Sequence, residues 1–185
     1  MRGVGFHYTS QEGVTQVHEF NLAPLYHKLL KTIPELNIEG VATPEEAGTL
    51  WLAGRGTTNM LVDLDLNQAL QAVREGGSWT PEMLKGITPV VLGNINKVLL
   101  SLTDRTPLSG GRCAFTAAAE DTDSPVDDGV VAGSAVGVLS TEGKVVTMVV
   151  VDRPVKLEGI SAREALGGRP ETWLWCRNKF RHHNR

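Results

Sequence analysis

The segment at residues 144–152, KVVTMVVVD, constrains the fold more than any other stretch of this sequence. Its apolar residues, which include Val146, Met148 and Val150, occupy both alternating faces of an extended chain. A strand that is buried on one face alternates between apolar and polar residues, whereas a strand buried on both faces does not. We therefore predict a central strand of a sheet, with helices or a second subunit covering its far face.

The preceding apolar segment, VVAGSAVGVL, is separated from this strand by the short turn sequence STEGK, which predicts a hairpin. Small residues in this partner strand, among them Gly133 and Ala135, leave room for another element to approach closely. Two interpretations stay open. Either a helix of the same chain packs there, or a second copy of the sheet does.

The remaining patterns divide the chain into a helical first half and a β-rich second half. Before residue 103, capping signals and apolar spacing predict helices in APLYHKLLKTI, ATPEEAGTL, NQALQAVREGG, a segment beginning at Thr80, and VVLGNINKVLLSL. Strands are expected there only in an N-terminal hairpin and around the turn LAGRGTT. After residue 103, CAFTAAA and TWLWCRNKF add strands, and SAREALGG adds a short helix. We predict an α+β fold, with a helix-rich N-terminal half packed on a mainly antiparallel sheet from the C-terminal half.

Two of these helices carry specific signals. Asp65 and Gln68 have the spacing of a helix N-cap before NQALQAVREGG, and Gly76 is expected to end that helix. In VVLGNINKVLLSL, the residues at helical spacing are Val91, Ile95, Val98 and Leu102.

The length of 185 residues suits one domain over residues 1–185, with a basic C-terminal extension at 177–185. No stretch approaches the ~18 apolar residues of a membrane span. The first residues, MRGVGFHYTSQEG, lack the apolar region of a signal peptide. We therefore expect a protein of the cytoplasm or of a virus particle, without a membrane partner.

The C-terminal extension is basic in a protein whose net charge is −3. Its basic residues are Arg177, Lys179, Arg181 and Arg185. They contribute +4, so the rest of the chain sums to −7, which argues against broad binding to nucleic acid.

The loop EDTDSPVDDG has the opposite charge. Its acidic residues are Glu120, Asp121, Asp123, Asp127 and Asp128. Their spacing does not match a calcium-binding loop, so we predict no metal site. Instead, the loop and the basic tail could meet within one chain or head-to-tail between neighbouring copies. Exposed ion pairs add little energy, so apolar burial would supply the affinity.

One face of the strand in TWLWCRNKF combines aromatic and basic residues, namely Trp173, Trp175, Arg177 and Lys179. Such a face is typical of a platform that stacks the bases of single-stranded nucleic acid. It is equally typical of an edge strand whose charged side chains prevent unwanted pairing. We favour the structural interpretation and keep nucleic-acid binding as a third function.

A small-molecule site is the main alternative function. The Gly-rich turns LAGRGTT and LSGGRC could cradle an anion, with Arg55 or Arg112 supplying charge and Asp63 lying nearby in sequence to the first turn. Neither turn has the spacing of a phosphate-binding loop or of a dinucleotide-binding motif.

From these patterns we predict a non-catalytic, homo-oligomeric structural or adaptor protein of a larger assembly, such as a phage or virus particle. No cofactor is predicted, and the expected partners are further copies of the chain and other protein subunits. The predicted interface residues are Val146, Met148, Val150, Gly133, Ala135, Trp173, Trp175, Arg177, Lys179, Asp121, Asp123, Asp127 and Asp128.

Overall fold

Antiparallel β-strands make up most of the protein in a computed structural model that describes residues 4–11, 14–44, 48–55, 58–122, 129–151, 153, 155–164 and 170–177. Two α-helices lie among these residues. The predicted α+β fold with a helix-rich N-terminal half is therefore wrong, because only two of the five helices expected in that half are formed and strands predominate there as well.

The chain begins with the predicted hairpin, formed by strands β1 (Val4–Gln11) and β2 (Val14–Asn21). Helix α1 (Ala23–Leu30) follows, and the Asn21 side chain accepts a hydrogen bond from the Ala23 backbone N–H at 2.9 Å. The N-cap residue of the helix is Leu22, whose side chain makes no capping bond, so Asn21 satisfies this backbone donor from one position earlier.

A four-stranded antiparallel sheet follows, in the order β3-β4-β5-β6. Its strands are β3 (Asn37–Ala42), β4 (Thr49–Arg55), β5 (Asn59–Asp65) and β6 (Leu84–Val90). Helix α2 (Leu66–Glu75) leaves the end of β5 and packs with α1 on one face of this sheet. The expected helix in ATPEEAGTL lies partly outside the described residues. At its described ends, Thr43 and Pro44 are not helical and Thr49 begins β4.

Local capping chemistry sets both ends of α2. The Asp65 side chain accepts a hydrogen bond from the Gln68 backbone N–H at 2.9 Å, which satisfies one of the free donors of the first turn. Gly76 ends the helix with a φ of 64°, a left-handed conformation that glycine adopts without strain. Both predictions are confirmed.

Replacing Asp65 by alanine is expected to lower the free energy of unfolding by about 0.5–2 kcal/mol, because the first turn of α2 loses its capping acceptor. Asp65→Asn retains an acceptor oxygen and is the matched control. Urea unfolding followed by circular dichroism measures both variants at the same protein concentration. Equal stability of the two variants would contradict the capping role.

A five-stranded antiparallel sheet, in the order β11-β10-β9-β8-β7, forms the second layer. Its strands are β7 (Asn94–Ile95), β8 (Val98–Pro107), β9 (Cys113–Asp121), β10 (Val130–Leu139) and β11 (Val145–Val151). The predicted helix over VVLGNINKVLLSL is wrong. Asn96 and Lys97 have φ values of 51° and 71°, which build a two-residue hairpin turn between Ile95 and Val98.

The helix expected from Thr80 is also wrong beyond its first turn. Pro81–Met83 forms a single turn of 3-10 helix, and β6 begins at Leu84. Pro89 lies within β6, where its missing N–H is tolerated because β6 is the edge strand of its sheet.

A last hairpin, formed by β12 (Lys156–Glu164) and β13 (Pro170–Arg177), completes the described chain. Ser161 and Glu164, expected at the start of a short helix, belong to β12. The Ser134 hydroxyl of β10 bonds to the backbone of Val155 and Leu157, and this contact fixes the hairpin to the five-stranded sheet.

Two apolar cores hold these layers together. The core between the sheets includes Trp51, Leu61, Val90, Leu102, Phe115 and Ala135. The core between the four-stranded sheet and the helices includes Leu29, Leu52, Val62, Leu64 and Ala69. Strand β11 lies at one edge of the five-stranded sheet.

Candidate association surface

Strand β11 has a free edge and exposes four valines. Strand β11 pairs with β10 on one side, and no described strand pairs with its other side. The prediction of a central strand is therefore wrong. The exposed fractions are 38% for Val145, 58% for Val146, 62% for Val149 and 51% for Val150, whereas Met148 packs against the core between the sheets.

An exposed edge of this kind favours pairing with another chain. Every second residue of an antiparallel edge strand directs its backbone N–H and C=O groups outward, and these groups are a template for a further strand. Proteins that avoid such pairing place charges or proline on the edge, but β11 reads VVTMVVV, with no charged residue over its seven positions.

The small residues of β10 serve the chain's own packing. The Ile95 side chain lies over Gly133, so close that an added Cβ would come within 3.1 Å of it. Ala135 is fully buried in the core between the sheets. In this structure these two predicted interface residues contact the interior of their own chain, and the packing partner of Gly133 is a strand and not a helix.

Both faces of β13 also expose apolar side chains. Exposed fractions reach 45% for Trp173, 42% for Leu174 and 57% for Trp175, and Trp175 lies against Gly159 of β12. Arg177 is the last residue of β13, and Lys179 lies outside the described residues. The aromatic part of the predicted platform is therefore exposed.

The predicted acidic loop is only partly described. Asp121 ends β9 and is exposed, whereas Asp123, Asp127 and Asp128 lie outside the described residues. Glu120 is buried and contacts Arg55. Charge complementarity between the acidic loop and the basic C-terminal extension stays a prediction.

The residues of the expected small-molecule site lie in three separate places. Asp63 is paired with Arg105 at 3.3 Å, and Arg55 is paired with Glu120 at 2.8 Å. Arg112 is exposed and donates through Nε to the backbone oxygen of Ser109. Asp63 and Arg55 thus form two separate ion pairs between the four-stranded and the five-stranded sheet.

Glu120 is the centre of a buried ion network that sequence reasoning missed. Its Oε2 accepts from Arg55 Nη1 at 2.8 Å and lies 3.2 Å from Lys156 Nζ. Arg55 Nε also lies 2.8 Å from Glu39 Oε1, an ion-pair contact without the alignment of a hydrogen bond. Because these residues come from β3, β4, β9 and β12, the network links both sheets to the last hairpin.

A second buried cation, Arg105, lies between the two sheets. Its guanidinium stacks on Trp51 at 4.6 Å from the ring centroid and donates to the Val62 carbonyl oxygen at 3.3 Å. Burial lowers the pKa of Arg105, and burial raises the pKa of the neighbouring Cys113 thiol although Arg105 opposes that shift. A buried protonated thiol is a poor nucleophile, so this cluster suits packing better than catalysis.

Comparison with known proteins gives one match, to a family model that covers residues 1–175. The chain belongs to DUF6910, a family of unknown function. The DUF6910 match includes both sheets, both helices and β13 as far as Trp175. No curated protein matches the chain. No solved structure matches it either.

Among the described residues of this DUF6910 chain, none of the helices has the length and apolar character needed to cross a membrane.

Asp104 is expected to give this DUF6910 chain a pH-dependent stability. Its carboxylate is half-buried where β8 meets β12, and it accepts from the backbone N–H groups of Arg105 at 2.8 Å and Ile160 at 3.0 Å. Burial raises the pKa of Asp104 above its ordinary value of 3.8, although both hydrogen bonds act in the opposite direction.

Because the folded chain binds this proton more tightly than the unfolded chain, the contribution of Asp104 to stability falls as pH rises above 3.8 through the raised pKa. Asp104→Asn removes the titration. The free energy of unfolding of the wild type, minus that of the variant, is therefore expected to decrease over this acidic range. Urea unfolding at a series of pH values measures it. A difference that increases with pH would contradict the assignment.

Proposed function

We propose that this chain is a non-catalytic, homo-oligomeric structural or adaptor protein of a larger assembly, a class that includes components of phage and virus particles. The observation that carries the proposal is the uncharged, exposed edge of β11, where four valines face solvent in the single chain. The hydrophobic effect and the unpaired backbone groups of that edge both favour association with another strand.

Two further apolar surfaces support the proposal. The β13 surface exposes Trp175 and Leu174, and the N-terminal hairpin exposes Phe6 at 69% and Val17 at 65%. A two-stranded hairpin is marginally stable by itself in water, so an apolar hairpin face is best explained by a covering partner. We place the assembly in the cytoplasm or inside a virus particle, as the sequence predicts.

Self-association can be tested by replacing Val149 with lysine. A lysine on the β11 edge opposes strand pairing, so the variant is expected to shift the mass of the chain in solution from an oligomer toward one chain. Light scattering after gel filtration, over a concentration series, measures the mass. Val91→Lys is the matched control, since Val91 is 83% exposed in a loop outside β11.

The proposal is overturned if the wild-type chain has the mass of one copy at tens of micromolar. If Val149→Lys and Val91→Lys both keep the oligomeric mass of the wild type, the copies associate through a surface other than the β11 edge.

Nucleic-acid binding is a second candidate, favoured by the exposed tryptophans of β13. Single-stranded DNA at low salt should then quench the fluorescence of Trp173 and Trp175, and added salt should reverse the effect. The double variant Trp173→Ala, Trp175→Ala should lose this response. An unchanged fluorescence of the intact chain at low salt would exclude this candidate.

A further inference from the structure

We infer that the free edge of β13 is a docking site for one further β-strand of a protein partner, which lies antiparallel to β13 and has the apolar pattern of β5. The inference concerns a surface other than the β11 edge, so it goes beyond the proposed function and does not depend on it. It rests on a repeat within the described strands, in which the first copy has a further strand beside it and the second copy does not.

The hairpin of β12 and β13 repeats the hairpin of β3 and β4. Strand β3 reads NIEGVA and β12 begins KLEGIS, so both contain Glu-Gly between aliphatic residues. In both strands the glutamate is the extra residue of a β-bulge. The pairing passes directly from Ile38 to Gly40 in β3, and from Leu157 to Gly159 in β12. Bulges are kept within families of related structures, so this shared bulge identifies the two hairpins as copies of one motif.

The second strands of the two hairpins also correspond. Gly40 lies opposite Ala53 of β4, and Gly159 lies opposite Trp175 of β13. Aligning the hairpins on these glycines therefore makes β13 the counterpart of β4. The aligned strands contain identical residues at three positions, which pair Trp51 with Trp173, Leu52 with Leu174, and Arg55 with Arg177.

Strand β4 shows what surrounds this motif when its sheet is complete. It pairs with β3 on one side and with β5 on the other, and all seven of its residues are buried. Among the described strands, β13 pairs with β12 alone, and residues 171–176 are all exposed. Strand β13 thus has the sequence pattern of an interior strand and the surroundings of an edge strand. The position beside β13 that corresponds to β5 is the docking site.

Strand β5 defines the chemistry and the register of the partner. In the β4–β5 pairing, the opposed residues are Leu52 and Val62, Ala53 and Leu61, and Gly54 and Met60. Transferred to β13, the same register sets an apolar partner residue opposite each of Leu174, Trp175 and Cys176. Cross-strand pairs of aromatic and aliphatic side chains stabilise a sheet, and the unpaired backbone groups of the edge supply the hydrogen bonds. The partner is therefore an extended, mainly aliphatic protein segment.

The exposed side chains of β13 favour a strand over a nucleic acid at this edge. Trp173 and Trp175 lie on one face of the strand, whereas Leu174 and Cys176 lie on the other, and all four are exposed. A platform that stacks bases uses one aromatic face. An added strand extends the sheet and brings apolar side chains to both faces, so it accounts for the exposure on each side.

A synthetic peptide with the sequence of residues 58–66, TNMLVDLDL, tests the site and its register. The inferred register sets peptide position 60 directly opposite Cys176, which is an exposed free thiol of the natural chain. Directly opposed strand residues have Cα atoms about 4.5–5.5 Å apart, within the range that a disulfide spans. A fluorescein-labelled Met60→Cys peptide in excess over the chain at nanomolar concentration, where copies of the chain do not compete, is expected to form a covalent adduct under mild oxidation. A non-reducing gel measures the adduct.

A Leu61→Cys peptide is the matched control. Its thiol lies one position along the strand and points to the opposite face of the sheet, so we expect a yield lower by about tenfold or more. The chain variant Cys176→Ser should give no adduct with either peptide. No adduct from the Met60→Cys peptide, or an equal or higher yield from the Leu61→Cys peptide, overturns the inference.

Fluorescence anisotropy of the unsubstituted peptide supplies a measurement that does not depend on oxidation. Leu174→Lys places a charge on the docking edge and is expected to raise the peptide Kd by about tenfold or more. Val91→Lys, in an exposed loop, should leave the Kd unchanged. The same Kd for both variants counts against docking at β13.

The inference and the proposed function can fail separately. A wild-type chain that has the mass of one copy but forms the adduct at position 60 removes the assembly of copies and leaves the β13 site standing. An oligomeric wild-type chain that forms no adduct removes the β13 site and leaves the assembly proposal standing.

Discussion

Replacing Glu120 by alanine is expected to lower the free energy of unfolding by about 3 kcal/mol, the effect of breaking a buried ion pair. Arg55 and Lys156 are both almost fully buried, at 5% and 7% exposure, and both contact the same Glu120 oxygen. Without that carboxylate, Arg55 retains its ion pair with the half-buried Glu39, and Lys156 retains its ion pair with the exposed Glu158. Urea unfolding at neutral pH and one protein concentration measures the loss.

Glu158→Ala is the control for this experiment, because Glu158 contacts the same lysine from the exposed side of β12. An exposed pair contributes about 0–1 kcal/mol, so this variant is expected to remain close to the wild type. If both variants lose the same stability, the burial of Glu120 does not determine its contribution.

Local signals predicted those parts of the fold that depend on neighbouring residues. Asp65 and Gly76 fixed the ends of α2 because a cap needs only the residues beside it. The β10–β11 hairpin was predicted for the same reason, since residues 140–144 form its turn and the Ser140 N–H donates to the Lys144 carbonyl oxygen at 2.8 Å.

Apolar spacing failed where it fitted two structures at once. The residues at 91, 95, 98 and 102 match a helix, yet the chain turns sharply at Asn96 and Lys97, and Val98 starts a long strand. Asparagine tolerates positive φ better than most residues, and that was the overlooked signal. The valines and leucines on both sides favour strands once the turn is recognised.

The composition of β11 does not distinguish a strand at the centre of a sheet from a strand at its edge. A strand without charge is typical of a sheet interior, because both of its faces are then covered. The structure puts this strand at an edge, so the missing charge becomes a property of the outer surface. The same residues thus predict a contact outside the single chain.

Long-range ion pairs lay beyond any local pattern. Glu120 was assigned to an acidic surface loop because aspartates follow it in sequence, yet it is buried against Arg55, sixty-five positions away. Alternation along CAFTAAAED offered a weak signal, since Glu120 shares a strand face with Thr116 and Ala118. The partners on β4 and β12 can be found only when the layers are known.

Replacing Phe115 by alanine is expected to lower the free energy of unfolding by about 3–5 kcal/mol. The Phe115 side chain is fully buried in the core between the sheets, and its ring lies against Gly137 of the adjacent strand. Glycine has no side chain that could move into the vacated space, so a cavity remains and the effect should lie near the upper part of that range.

Val91→Ala is the control for this prediction, because it removes apolar atoms from a loop side chain that is 83% exposed and lies outside the surfaces proposed to associate. A surface substitution of this kind changes stability by about 0.5 kcal/mol or less. Gly137 also lies against the backbone of Thr147, a residue of β11. Loss of the Phe115 ring should therefore loosen β11 as well as the core. Hydrogen exchange should then show faster exchange in β11 of Phe115→Ala than of Val91→Ala. Equal exchange rates in the two variants would show that the edge strand is held independently of this ring.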